Sequence, residues 1–269
     1  MKIRKAMEKA KKELSTQPAT DIVAKKTHLY QEWTSPVYSE TRQTVLNKEV
    51  LAKNRCIAMF PDSPFLGPYK VLRTQIHQRT QAKGWNTLMV TSAVPGEGKT
   101  ITAINLALTF AKEFDQTVLL MDCDLHRQDV HKQLGIESDQ GLVDYLVDER
   151  PLKDLLIWPG IEKLTLVSGS RTIADSTEFL TSSRMKALVQ EVKTRYPDRF
   201  VVFDTPPVLS GADAISFVSQ VDCFVMVVQA DKTPLPDIKR ALELLPKEKF
   251  LGFVLNRYAA NDDNQYAYY

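Results

Sequence analysis

The sequence predicts an α/β fold built on a doubly wound, mostly parallel sheet, and three observations carry that expectation. From Trp85 onward, apolar runs of strand length alternate with amphipathic stretches of helix length. The runs are nearly all apolar rather than alternating, the pattern of strands covered on both faces. A glycine-rich segment joins the first run to the first long helix, as in a βα unit whose turn meets a ligand at the carboxyl end of the sheet. The expected strands are 87–91, 117–121, 164–167, 200–203, 223–228 and 250–255. The expected helices are 100–113, 176–196, 212–218 and 235–245, with a further helix at 68–81 leading into the domain.

Composition agrees with one large domain carrying appendages: 269 residues, 43% apolar and 25% charged. A formal charge of +2 does not point to nucleic acid as a partner. No run approaches the roughly 18 apolar residues of a membrane span, and the basic N-terminus lacks an apolar signal core, so a cytoplasmic chain is expected and any membrane association is peripheral. Cys56, Cys123 and Cys223 lack metal-ligand spacing and read as reduced core residues.

The organisation divides into an extension at 1–50, a core domain at 51–257 and a tail at 258–269. In the extension, Ile3, Met7, Ala10 and Leu14 recur at helical spacing among Lys2, Arg4, Lys5, Lys9, Lys11 and Lys12. That is a short basic amphipathic helix, and both a solvated helix and one docked on a partner or an anionic membrane surface fit it. From 16 to 49 the polar composition predicts extended or irregular chain.

The strongest chemical signal is the run from Thr91 to Thr100, Thr-Ser-Ala-Val-Pro-Gly-Glu-Gly-Lys-Thr. Gly96 and Gly98 let the backbone curl so that the N–H groups of Pro95's successors point inward at phosphate oxygens, and the following helix directs its positive end there. Ala93 stands where the strict motif has glycine. Residues Pro95, Gly96, Glu97, Gly98, Lys99, Thr100 and Ile101 are the candidate nucleotide contacts, with Lys99 reaching the terminal phosphates and the Thr100 hydroxyl ligating Mg²⁺. ATP and Mg²⁺ are the cofactors this implies.

Such a site needs acids. The run 118–124, Val-Leu-Leu-Met-Asp-Cys-Asp, places Asp122 and Asp124 at a strand end, alternating on one face, one to meet the metal and the other to accept a proton from a nucleophile. The run 201–207, Val-Val-Phe-Asp-Thr-Pro-Pro, ends another strand at Asp204, a further Mg²⁺ carboxylate. Alone, an Asp ending a strand is more often a turn or cap residue; the phosphate loop reverses that weighting. His126 and His131 read as loop residues, and Arg127 as the better candidate for a phosphate or subunit contact.

These motifs, spaced over about three-quarters of the chain, resemble the bacterial tyrosine kinases of capsule and exopolysaccharide synthesis, a branch of the MinD/ParA-like P-loop ATPases. The matching segments include Tyr69-Lys70-Val71-Leu72-Arg73-Thr74, Asp122-Cys123-Asp124-Leu125-His126-Arg127, Gly141-Leu142, Asp204-Thr205-Pro206-Pro207 with Asp213-Ala214, and Leu251-Gly252-Phe253-Val254-Leu255-Asn256. The resemblance implies ATP-dependent autophosphorylation on a tyrosine-rich tail, activation by a membrane polysaccharide co-polymerase, homo-oligomers and, through Asn256 and Arg257, a contact with adenine. In the family, self-association uses an acidic residue and two arginines spaced by three; here those places are Gly67, Lys70 and Arg73. The tail agrees without family knowledge: Tyr258, Tyr266, Tyr268 and Tyr269 fall in the last twelve residues, where an even spread of nine tyrosines would put fewer than one. Asn261, Asp262, Asp263, Asn264 and Gln265 surround them, a polar stretch from which phenols can reach a site. Two other readings are a positioning ATPase of the MinD/ParA type, whose P-loop carries lysine where this chain has Val94, and a nucleotide-binding regulatory subunit of polysaccharide assembly with little kinase turnover.

Overall fold

The computed structural model describes residues 41–113 and 116–258. The expected basic helix at 1–14, the irregular chain up to residue 40, and Tyr266, Tyr268 and Tyr269 lie outside them. A short strand β1 (Arg42–Gln43) is followed by α1 (Lys48–Lys53), so the chain expected to be irregular to 49 turns helical slightly earlier. The signal was present: Asn47 Oδ1 accepts the Glu49 N–H at 2.8 Å, a side-chain N-cap.

Helix α2 (Leu66–Gln81) starts with Pro68 in its first turn, where a missing N–H costs nothing. It leads into β2 (Thr87–Ser92), α3 (Lys99–Phe110) and β3 (Thr117–Asp122). Three short helices follow, α4 (Val130–Leu134), α5 (Leu142–Leu146) and α6 (Leu152–Leu155), then β4 (Ile157–Trp158) and β5 (Leu164–Val167). The expected helix 176–196 is two helices, α7 (Ser176–Thr181) and α8 (Ser183–Thr194). Ser182 between them is extended at ψ 156, and its hydroxyl accepts the Met185 N–H at 3.1 Å, capping α8 and resetting its phase. After β6 (Arg199–Asp204) come α9 (Asp213–Phe217), β7 (Cys223–Gln229), α10 (Leu235–Glu243) and β8 (Phe250–Asn256).

The strands form one sheet in the order β1-β4-β5-β3-β6-β2-β7-β8, parallel throughout except for the β4–β5 pair. Alternate residues feed two cores. Met89, Leu119, Met121, Val201, Phe203, Phe224 and Met226 face one layer of helices, and Leu88, Val90, Val118, Leu120, Phe200, Val202 and Val225 face the other. Burial of each such side chain contributes about 1.5–3 kcal/mol, and Phe110 of α3 stacks on Phe200 with ring centroids 4.4 Å apart. Covered faces explain why the strands read as continuous apolar runs. The last strand departs from the expectation of cover on both faces: β8 lies at the sheet edge, with Phe253 49% and Leu255 58% exposed. All three cysteines are free and buried, and burial pushes the Cys56 and Cys223 thiols up to about 12. Among the described residues no helix is long and apolar enough to cross a membrane.

The strand order positions the site. The chain moves from β2 past β6 to β3 in one direction and from β6 past β2 to β7 in the other, so the carboxyl ends of β3, β6 and β2 stand side by side. A crevice outside such a reversal is where open α/β sheets place ligands.

Candidate active site

The loop after β2 has the geometry its glycines predict. Gly96 and Gly98 take φ values of 87° and 95°, a left-handed backbone closed to most side chains. At Gly98 an added Cβ would also run into Asn256 Nδ2. Helix α3 begins at Lys99, so its unpaired N–H groups open onto the hollow of the loop.

The acids from β3 and β6 converge on Lys99 and Thr100. Lys99 Nζ lies 2.6 Å from Asp124 Oδ2 and 3.4 Å from Asp204 Oδ1, and the Thr100 hydroxyl donates to Asp204 Oδ2 at 2.7 Å. In-register pairing of Asp122 with Asp204 across β3 and β6 brings the fifth member, Asp122, alongside. β3 ends at Asp122, so Asp124 is not the next residue on the same strand face, as the alternation suggested; it sits in the turn beyond. There its Oδ1 accepts the Arg127 N–H at 3.2 Å while Oδ2 faces Lys99. Asp122 holds this turn in shape, accepting the Asp124 N–H at 3.1 Å and the Val130 N–H at 3.1 Å.

The site is electrostatically poised. Burial, then the Asp204 charge, raises the Asp122 carboxyl well above the ordinary range. Burial likewise raises Asp204 to about 6, against the opposing pull of Lys99 and the Thr100 hydroxyl. Burial works to lower the Lys99 ammonium, but the Asp204 and Asp124 charges outweigh it and the net movement is upward. One ammonium thus serves three buried carboxylates. Asp124 Oδ2 is engaged by Lys99. The donor set fits a magnesium nucleotide: a glycine-curled loop running into a helix N-terminus, a hydroxyl with two carboxylates for a hard cation, and excess negative charge that such a cation would relieve.

The remaining predicted residues fall into two groups. Asn256 and Arg257 are at the site's rim. The Asn256 amide donates to the Glu97 carbonyl at 2.7 Å, its Oδ1 accepts the Arg257 N–H at 2.9 Å, and Arg257 Nη1 reaches Gln229 Oε1 at 3.1 Å. Tyr258 follows, 55% exposed. Arg127 is exposed. His126 joins neighbouring segments, with Nε2 2.9 Å from the Ser176 hydroxyl and 3.4 Å from Asp213 Oδ2. Arg73 is engaged within the chain, by Glu113 at 2.7 Å and the Thr109 carbonyl at 3.1 Å, whereas Gly67 faces open space.

The sequence placed Glu97 among the nucleotide contacts with no separate task for its carboxylate, yet the residue is 2% exposed. Its partners are Gln229 at the end of β7 and Thr233 in the turn after it. A carboxylate within a phosphate loop was the available signal, because an anion there needs neutral donors turned toward it.

The fold and these residues define a P-loop nucleotide-binding domain, and comparison with known proteins agrees. The AAA domain family model matches residues 86–247. Tyrosine-protein kinase YwqD of Bacillus subtilis is 33% identical over 75% of this chain and 84% of its own. The putative tyrosine-protein kinase CapB of Staphylococcus aureus is 27% identical over 78% of this chain and 91% of its own. The kinase domain of the Escherichia coli tyrosine kinase ETK superposes with a TM-score of 0.66 at 25% identity, covering 73% of this chain and 78% of that one. The chain belongs to the family of bacterial tyrosine-protein kinases.

Proposed function

We propose that this chain is an ATP-dependent protein-tyrosine autokinase acting in capsular or exopolysaccharide synthesis and export, with its own tail at 258–269 as the acceptor. The observation that carries the reading is the convergence of Lys99, Thr100, Asp124 and Asp204 within hydrogen-bonding or ion-pairing distance at the mouth of a glycine-curled loop.

Residues 95–101 would bind the phosphates, and Thr100, Asp124 and Asp204 would hold Mg²⁺. The metal, when bound, supplies positive charge to the phosphate oxygens. Lys99 moves from its carboxylate partners onto the transferring phosphoryl group and offsets the charge that grows there. Asp122, whose carboxyl burial pushes upward and so makes more basic, accepts the phenol proton. The new bond joins the tyrosine oxygen to the γ-phosphorus as the bond to ADP breaks. Asn256 and Arg257 border the base. Tyr258, Tyr266, Tyr268 and Tyr269 are the proposed acceptors; each phosphate adds about −1.5 to −2 charge, which favours release of a tail docked near the site's carboxylates.

The proposed activator is a membrane polysaccharide co-polymerase that orders the site, with recruitment to the inner face of the membrane and homo-oligomerisation. In-chain pairing of Arg73 and the absence of a side chain at Gly67 favour weak activity in the isolated chain. Purified chain with Mg-ATP, followed by phosphotyrosine detection and phosphate release, tests the assignment. Slow tyrosine labelling that vanishes in Lys99→Met is expected. Phosphate release without labelling indicates the positioning ATPase, and nucleotide binding with neither indicates the regulatory subunit.

A further inference from the structure

We propose that the Glu97 side chain is a positioning residue, a strut that presets the curl of the phosphate loop by tying it to the end of β7 and the turn that follows. The inference rests on residues 93–100 being the cradle for a nucleoside polyphosphate. Loop N–H groups do the binding in such a cradle, so a side chain at position 97 could face solvent at no cost. Instead it carries a buried carboxylate, which by itself would repel the ligand.

The geometry resolves the conflict. Glu97 Oε2 accepts the Val94 N–H at 2.9 Å, closing the loop on itself across three residues. Oε1 accepts the Gln229 N–H at 3.2 Å and the Thr233 hydroxyl, so both oxygens are turned to donors that are not the ligand's. From the other side the Asn256 amide grips the Glu97 carbonyl at 2.7 Å, and Gly98 lacks the Cβ that would push that amide away. Arg257 closes the circuit on the Gln229 side chain at 3.1 Å. The loop is therefore clamped between the ends of β7 and β8. A carboxylate suits position 97 because it is acceptor-only on both oxygens, whereas glutamine would aim an NH₂ at one set of donors. Thr233 softens that conflict, since its hydroxyl can reverse and accept, and it already takes the Gln229 N–H at 3.2 Å.

Preset N–H groups bind without reorganising, and they serve the ground state and transition state alike. Loss of the strut should therefore weaken nucleotide binding and raise KM while leaving kcat near normal, unlike loss of Lys99. The test titrates Mg-ADP calorimetrically into the full chain and into Glu97→Ala, Glu97→Gln, Thr233→Val and the Glu97→Ala/Thr233→Val double variant, with phosphate release supplying KM and kcat. Expected are an affinity loss of about tenfold or more in Glu97→Ala, smaller losses in Thr233→Val and Glu97→Gln, a double variant no weaker than Glu97→Ala, and kcat within about threefold. Affinities within about twofold of the parent in Glu97→Ala and Thr233→Val overturn the proposal, as does a loss confined to kcat or independent, multiplying losses in the double variant. If Glu97→Ala does not fold, unchanged affinity in Thr233→Val and Glu97→Gln overturns it. The readout is separate from tyrosine transfer: a chain that binds Mg-ADP but labels no tyrosine removes the kinase reading and leaves this one standing, and a chain that binds no nucleotide removes both.

Discussion

Asp204 at the carboxyl end of β6 is buried and Asp222 just before β7 is half-buried; the two carboxylates lie at opposite ends of the same sheet, and their surroundings differ in kind. Asp222 accepts the Asn86 N–H at 3.0 Å, the Thr87 N–H at 3.2 Å, the Thr87 hydroxyl at 2.8 Å and the Lys193 ammonium. Burial raises its carboxyl, but Lys193 and Thr87 outweigh that and the net movement is downward. Asp204 shares one lysine with Asp124, faces Asp122, and is raised to about 6. The amino end of the sheet is electrostatically finished and serves the fold. At the carboxyl end, charge is left over, which suits a site that a magnesium nucleotide completes.

The largest expected effect falls on Lys99. Lys99→Met should lower tyrosine labelling at least about a hundredfold with far-ultraviolet circular dichroism unchanged, because it removes a charge acting on the phosphoryl group rather than a packing contact. Asp122→Asn should lower labelling comparably, through lost proton acceptance and through an NH₂ turned toward one of the Asp124 and Val130 N–H donors. Near-parental labelling in either variant would break the contrast between the two ends of the sheet.

The paired carboxylates should then respond with opposite signs in stability. Asp222→Asn breaks a satisfied ion pair and should cost about 1–3 kcal/mol in urea unfolding, with Mg-ADP affinity unchanged. Asp204→Asn relieves carboxylate crowding, so in metal-free buffer it should leave stability equal or higher while weakening Mg-ADP binding about tenfold or more. Equal destabilisation by the two would remove the distinction.

A smaller effect sharpens the comparison through pH. Asp204 is raised in the folded state, so its contribution is fully present below the ordinary carboxylate pKa and is lost as pH rises through about 6. Asp222 is lowered, so its contribution holds above the ordinary value and is lost as pH falls through the folded one. Thermal midpoints in chelator across pH 2 to 7, compared between the parent and each Asp→Asn variant, should show the Asp204 difference changing between the ordinary carboxylate value and about 6 and the Asp222 difference changing, with the opposite slope, only at lower pH.

The central strands were legible because the chain buries both sheet faces, which leaves the apolar runs at 117–122 and 199–204 little alternative. The same logic misjudged β8, since Phe253 and Leu255 are as apolar as buried residues and composition does not record an edge. The two-residue β4 and the short helices α4 and α6 are below the length at which periodicity speaks. The break at Ser182 was hidden by an amphipathic pattern that runs on in both helices, although a serine cap was there to be read. At the site, motif spacing singled out Lys99, Thr100, Asp122, Asp124 and Asp204, which the fold brings together. The partners of Glu97 come from 132 and 136 residues further along the chain, a proximity that only the fold supplies.

The most direct test of the whole reading is site-resolved mass spectrometry of the chain after incubation with Mg-ATP, run beside Lys99→Met. Phosphate on tyrosines within 258–269 of the parent and none on the variant is the predicted result. Phosphate mainly on residues outside 258–269, or equal labelling of the variant, would contradict it.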